Sequence, residues 1–198
     1  FCVGQDLAEV SSLGYLPDHL RAKYNPAVIA LHELEKPVIA AVNGPAAGAG
    51  CSLALIGDIA IAARSAYFLQ AFVNIGLVPD VASTWLLPRL IGKQRAQAMM
   101  MLGEKVSAET AASWGMIYEV VDDEGLMERA RAIATRLANG PTEALRLIRT
   151  GVRRAMESSL TETLRMERIN QRLAGISEDF AEGVAAFHAR RPPQFGKR

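Results

Sequence analysis

Cysteine is scarce in this chain: two residues in 198, Cys2 and Cys51, cannot build a disulfide framework. No CxxC pair and no Cys/His spacing suggests a structural zinc site, and a reducing cytoplasm fits such sparing use of thiols. Excess charge of one sign is also absent. Lysine and arginine number 22 against 21 aspartates and glutamates, so the net charge of +1 supplies no field for nucleic acid. Basic residues thicken only locally, in "RRAMES" and in the closing "ARRPPQFGKR", which reads as a solvated tail. Long apolar runs are missing too: Asn43, Gly44, Asp58 and Arg64 interrupt the longest stretches, which argues against a membrane span. No basic-then-apolar signal segment opens the chain. It starts abruptly with "FCVGQDL", already inside a patterned region, and the expectation is that strands have been lost upstream.

What is present is globular. Half the residues are hydrophobic and 22% are charged, in a length that suits one ordinary domain. "PVIAAVNG" (37–44) is a continuous apolar run that reads as a strand buried on both faces, as in parallel sheets. "AGCSLALIGD" (49–58) predicts a short helix, and "IAIAAR" (59–64) and "AYFLQAF" (66–72) predict strands. After the loop "NIGLVPD", the stretches "TWLLPRLIG" and "KQRAQAMMMLG" predict consecutive helices, each stopped by a glycine. Ser107 is a helix N-cap, and "YEVVDD" is a short strand. Three amphipathic helices follow, separated at Gly140-Pro141 and Ser158-Ser159, and a last helix ends before Pro192-Pro193. The expected architecture is α/β: a strand-and-helix core over 1–123 and a helical region over 124–198.

Three places could carry chemistry. In "FCVGQDL" a tight turn at Gly4 can present a backbone N–H outward, but an ordinary turn with Asp6 capping the next helix is the stronger reading of that segment alone. In "NGPAAGAGCSL" small residues surround the start of a helix, whose first N–H groups have no intrahelical partner. They could receive an oxygen that becomes anionic during reaction, or serve close helix–sheet packing; the two readings stand level. In "GLVPDVAST", Asp80 either caps a helix or acts as a general acid/base beside an apolar pocket. His19, His32 and His188 lie far apart with no nucleophile pattern and read as surface or structurally satisfied residues. "GCSLA" is not a GxSxG nucleophile elbow, so Ser52 is not read as a nucleophile.

Taken in order, these segments resemble the enoyl-CoA hydratase/isomerase (crotonase) family. "FCVGQDL" is similar to its F-x-A-G-x-D-L segment, and "KPVIAAVNGPAAGAGCSLAL" to its K-P-V-I-A-A-V-x-G-x-A-x-G-G-G segment. "FLQAFVNIGLVPDVASTWLLPRLIG" falls where the family has F-x-x-P-E-x-x-G-x-x-P-x-x-G-G-T-x-x-L-x-R-x-x-G, and the likeness runs on to "FHARRPPQF". The resemblance implies a spiral of β-β-α turns with C-terminal helices, assembled as a homotrimer or a hexamer. It implies an acyl-CoA substrate, with coenzyme A as part of that substrate and no separate cofactor or metal. An oxyanion hole would be formed by the backbone N–H groups of Gln5 and Ala49, with Asp80 as the catalytic acid/base.

By the same resemblance Val3, Asp6 and Gly48 would border the thioester, while Phe72 and Trp85 would either line the acyl pocket or belong to the core. With alanine at position 8, contact with the coenzyme A phosphates would fall either to residues upstream of this chain or to Arg190 and Arg191 from a neighbouring subunit. The two glutamates of the family's hydratases are replaced here by Ser52 and Phe72, so the resemblance points to its isomerases. Those shift a double bond or rearrange a ring epoxide of phenylacetate breakdown to an oxepin. Hydration and non-catalytic acyl-CoA binding are the alternatives. The chain departs from the family pattern at Val3 (mostly alanine), at Ala8 (lysine in several members) and at Val81-Ala82-Ser83 (a glycine-rich trio).

Overall fold

A computed structural model describes residues 1–10 and 16–196 and divides them into two compact units. The first comprises Phe1–Leu34 and Val38–Ala130; the second comprises Glu35–Pro37 and Arg131–Arg198.

The first unit begins with an extended segment, Phe1–Gly4, followed by helices α1 (Leu7–Val10), α2 (Leu16–His19), a π-helical turn (Leu20–Tyr24) and α3 (Asn25–Glu33). Strands β1 (Ile39–Val42), β2 (Ala46–Ala47), β3 (Ile59–Ala63) and β4 (Tyr67–Leu69) then alternate between two sheets, with α4 (Ala49–Leu55) between the pairs. β1 lies parallel to β3, with Ile39 opposite Ile59 and Val42 opposite Ala62. β2 lies parallel to β4, with Ala46 opposite Phe68. Beyond α5 (Ser83–Leu102), β5 (Lys105–Ser107) joins β4 antiparallel. After α6 (Ala108–Ser113), β6 (Glu119–Val121) joins β3 parallel. Two β-β-α turns and a final β-α-β unit therefore each add one strand to each of two three-stranded sheets, in the orders β1-β3-β6 and β2-β4-β5.

The apolar runs explain this layering. β3 is buried along Ala60–Ala63 on both faces, as its uninterrupted sequence predicts for a covered parallel strand. Val42, Ile61, Phe68 and Leu87 are fully enclosed, each removal from water being worth about 1.5–3 kcal/mol. The predicted strand over 66–72 is shorter than expected. Gln70 leaves extended geometry, and Ala71–Ile75 wind into a 3₁₀ turn closed by left-handed Gly76. The two helices predicted before and after Gly92 are present, since Gly92 breaks helical geometry inside α5 with φ 76° and ψ 161°. Ser107 caps α6 by accepting the Thr110 N–H at 3.1 Å.

In the second unit the division falls within α7 (Leu126–Ala138), which is followed by α8 (Thr142–Ala155), α9 (Leu160–Gly175) and α10 (Glu178–His188). Ser159 and Glu162 form a reciprocal capping box that starts α9 after the predicted break.

Gly50 fixes how α4 meets the first segment. Cys2 forms a parallel bridge with Ala46, donating to the Pro45 carbonyl at 3.1 Å and accepting from the Ala47 N–H at 3.0 Å. A Cβ on Gly50 would stand 2.0 Å from the Cys2 carbonyl oxygen and 2.6 Å from its carbon. Gly50→Ala should therefore cost about 1–3 kcal/mol or more, the usual range for overpacking, because backbone and not a flexible side chain must yield. Thermal melting of the variant checks this, and an unchanged midpoint would contradict the packing.

Candidate active site

Close packing at Gly50 brings two backbone turns together. Gly4 takes φ +88°, a conformation open to glycine, and a Cβ there would lie 3.2 Å from the Ala47 oxygen and 3.4 Å from the Ala49 nitrogen. The chain next to Ala49 is equally constrained: Gly48 adopts φ 54° and ψ −127°, with its N–H bonded to the Leu69 carbonyl at 2.9 Å. Gln5 follows the first glycine and Ala49 the second. Ala49 is the first residue of α4, so its N–H has no intrahelical acceptor. Among the described residues neither the Gln5 N–H nor the Ala49 N–H has a recorded partner. The even choice posed by the small residues is thus divided by position. Gly50 serves packing, whereas Gly48 and Ala49 border a cavity.

That cavity has a volume of about 450 Å³ and lies within the first unit. Val3, Gly4, Gln5, Gly48, Ala49 and Phe72 line it. So do Leu77, Val78, Asp80 and Val81 from the following loop, and His19, Leu20 and Tyr24 from the first helices. The lining is largely apolar, and Asp80 is its only carboxylate among the described residues. Such a concave, mostly apolar space with a few convergent polar groups suits a small-molecule acyl group.

Asp80 does not cap α5. The residue before that helix is Ala82, with no side-chain cap bond. One carboxyl oxygen of Asp80, Oδ1, is buried without a hydrogen-bond partner. Burial pushes the carboxyl above its ordinary value, and its own backbone N–H opposes that shift to a smaller extent. The following residues, Val81 and Ala82, are both left-handed, with φ 49° and 65°. For side chains with a Cβ such conformations cost about 1–3 kcal/mol each, most clearly for β-branched valine. The glycine-rich trio expected from family resemblance would adopt them freely; here valine and alanine are held in them.

At the two positions where the resemblance implies hydratase glutamates, the side chains are buried and uncharged. Ser52 is 1% exposed, and its hydroxyl is hydrogen-bonded to that of Ser83. Phe72 is buried with its ring 3.7 Å from where a Gly48 Cβ would sit, and it is among the residues that line the cavity.

Other expected site residues lie elsewhere. Asp6 is exposed and accepts the Ala8 N–H at 2.8 Å, the ordinary turn that the segment alone favoured, and it is not on the cavity wall. Trp85 also leaves the wall, because the Val81–Ala82 turn starts α5 and the helix carries the indole to the edge of the His32 ring, with centroids 5.4 Å apart. Its other neighbour is the Arg89 guanidinium, 4.2 Å from the ring centroid. Arg190 and Arg191 belong to the second unit, where Arg191 grips both carboxylate oxygens of Glu182 at 2.6 and 2.8 Å. Sequence reasoning missed His19. It lines the cavity with its Nε2 3.5 Å from the Gln5 side-chain amide and its ring edge-on to Tyr24. No spacing pattern links His19 to Asp80, so only the folded chain brings them to one cavity.

With this geometry established, the comparisons with known proteins are decisive. The sequence profile of the enoyl-CoA hydratase/isomerase family matches residues 1–198. The chain belongs to that family. It is 52% identical over 200 residues to the 1,2-epoxyphenylacetyl-CoA isomerase of Escherichia coli (strain K12), covering 98% of this chain and 76% of the relative. It is 45% identical to a Rhodobacter capsulatus protein named "Probable enoyl-CoA hydratase", covering 100% of this chain and 77% of the relative. The crystal structure of an enoyl-CoA hydratase from Bacillus anthracis superposes with a TM-score of 0.95 at 32% identity, over 100% of this chain and 77% of that one. The crotonase-like fold expected from the resemblance is thereby shown.

Two stability predictions follow from the strained acidic loop. Asp80→Asn should raise the melting temperature at pH 7. Its carboxyl titrates higher in the folded than in the unfolded state, so the stability it contributes is complete below the unfolded value and is lost as pH rises through the folded one. The advantage of the asparagine variant should therefore shrink as pH falls toward the ordinary carboxylate value of 3.8, and an advantage that grows on acidification would contradict the burial. Ala82→Gly should add about 0.5–1 kcal/mol in denaturant unfolding, since glycine adopts the left-handed region without a Cβ clash. A loss of stability would show that the alanine methyl is worth more than its strain.

Proposed function

We propose that this protein is an acyl-CoA isomerase acting through a thioester enolate, with Asp80 as its proton shuttle. The observation that carries the reading is Asp80 itself: a lone carboxylate on an apolar cavity wall, with a buried unpartnered oxygen. The two positions a hydratase would use are Ser52 and Phe72, neither of which can take a proton from water at neutral pH.

With a 3-enoyl thioester, the Asp80 carboxylate removes a proton from the α carbon and becomes a carboxylic acid. The electron pair left behind delocalises into the thioester carbonyl, and the resulting oxyanion is held by the Gln5 and Ala49 N–H groups. Asp80 then returns its proton to the γ carbon, so the double bond moves one position toward the thioester. Nothing is oxidised, and no water is consumed. A fixed donor of this kind is worth about 2.7–4 kcal/mol of barrier, which explains why backbone geometry outweighs side-chain identity at these two residues. The raised pKa of Asp80 favours the first half of the cycle, because burial makes its carboxylate a stronger base, and the acid so formed remains strong enough to reprotonate the far more basic enolate.

The cavity suits an acyl group of moderate size, and the ring epoxide of phenylacetyl-CoA is the first substrate to test, given the name of the 52% identical relative. Assembly as a homotrimer or hexamer is part of the proposal. Exposed apolar residues of the helical unit, such as Ile148, Val152 and Leu164, offer a surface that such an assembly would cover. The name of the 45% identical relative favours a second reading, hydration of a 2-enoyl-CoA.

The two are separated by incubating 3-enoyl-CoA with enzyme in heavy water, wild type beside Asp80→Asn. Isomerisation with deuterium at the α and γ carbons is expected in the wild type, with a loss of at least 10²-fold in the variant and retained thioester binding. Hydration of crotonyl-CoA at equal rate by both proteins would instead establish the second reading.

A further inference from the structure

We infer that Ser52 and Ser83 are positioning residues that hold the Asp80 backbone so that its carboxylate faces the cavity. This rests on the reading of Asp80 as the proton shuttle.

Three hydrogen bonds close a ring behind the acid. The Ser83 N–H donates to the Asp80 carbonyl at 2.9 Å, and the Ser52 hydroxyl donates to the same carbonyl at 3.4 Å. The two hydroxyls are bonded to each other. Each serine has one hydroxyl proton, which settles the direction: Ser52 gives its proton to Asp80, so Ser83 gives its proton to Ser52. Both residues are 1% exposed, so these bonds are made away from water. Neither hydroxyl remains unsatisfied.

The ring acts against a backbone that would otherwise relax. Val81 and Ala82, the two residues it spans, are both left-handed although neither is glycine. Ser52 comes from α4, the helix whose first N–H belongs to the oxyanion hole, and Ser83 is the first residue of α5. One pair of hydroxyls therefore ties the acid/base to the element that holds the thioester oxygen. Ser52 occupies the position where hydratases carry a glutamate, so the same site on α4 would supply a tether here in place of a second acid.

The test uses Ser52→Ala, Ser83→Ala and the double variant, each measured for isomerisation, deuterium exchange, thioester affinity and melting temperature. Loosening the loop should lower kcat about tenfold or more in each single variant, with KM and affinity within twofold. The double variant should be little worse than either single one, since both break the same ring. Unchanged kcat in both variants would overturn the inference. So would equal losses in kcat, affinity and melting temperature, which would mark a general packing role. If Ser52→Ala fails to fold, the kcat-to-KM split of Ser83→Ala decides alone. Failure of the parent reading looks different: wild type and Asp80→Asn would then exchange deuterium alike.

Discussion

The site depends on one close contact, the seating of the Cys2 carbonyl against the bare α carbon of Gly50. No other residue type leaves room for that approach, and with it the first segment joins β2 through the Cys2–Ala46 bridge. Gly4 then lies so near Ala49 that a Cβ on it would stand 3.4 Å from the Ala49 nitrogen, and Gln5 and Ala49, from distant parts of the chain, border one cavity. The proposed oxyanion hole of backbone donors needs this kind of rigidity. Its donors cannot reorient as side chains do, so their value lies in being fixed before charge develops.

The acid is held by the opposite strategy. Asp80 sits in a segment whose local preferences are violated, with two left-handed non-glycine residues directly after it and one carboxyl oxygen left without a partner. Such strain persists where surrounding structure over-determines it, and here α5 and the buried serine pair supply that constraint. The raised affinity of Asp80 for its proton is a consequence of the same burial. Stability and the proposed proton shuttle therefore pull in opposite directions at this residue.

Much of the fold was legible in the sequence because it rests on short-range rules. The continuous apolar runs of β1 and β3 announce covered parallel strands, and Gly92 and Ser107 mark helix boundaries where they occur. The strand expected over 66–72 stops short because the aromatic content of that segment says nothing of the turn that Gly76 imposes. Trp85 and Asp6 were assigned to the site from their place in motifs. A motif fixes where a residue lies along the chain, but helix rotation decides which way its side chain points, and Trp85 was carried to His32 instead.

By itself, the sequence determined the buried strands β1 and β3, the helices from α4 onward, the glycines at the two tight turns and the presence of a single acid after Pro79. These depend on covalent geometry and local hydrophobic pattern, which any one segment carries within itself. Only the tertiary structure decided that Asp80 lines a cavity instead of capping a helix, that His19 shares that cavity, and that Ser52 meets Ser83. Those outcomes join residues separated by tens of positions, and burial, which sets both the packing and the proton affinity, exists only once the separate segments enclose the same space.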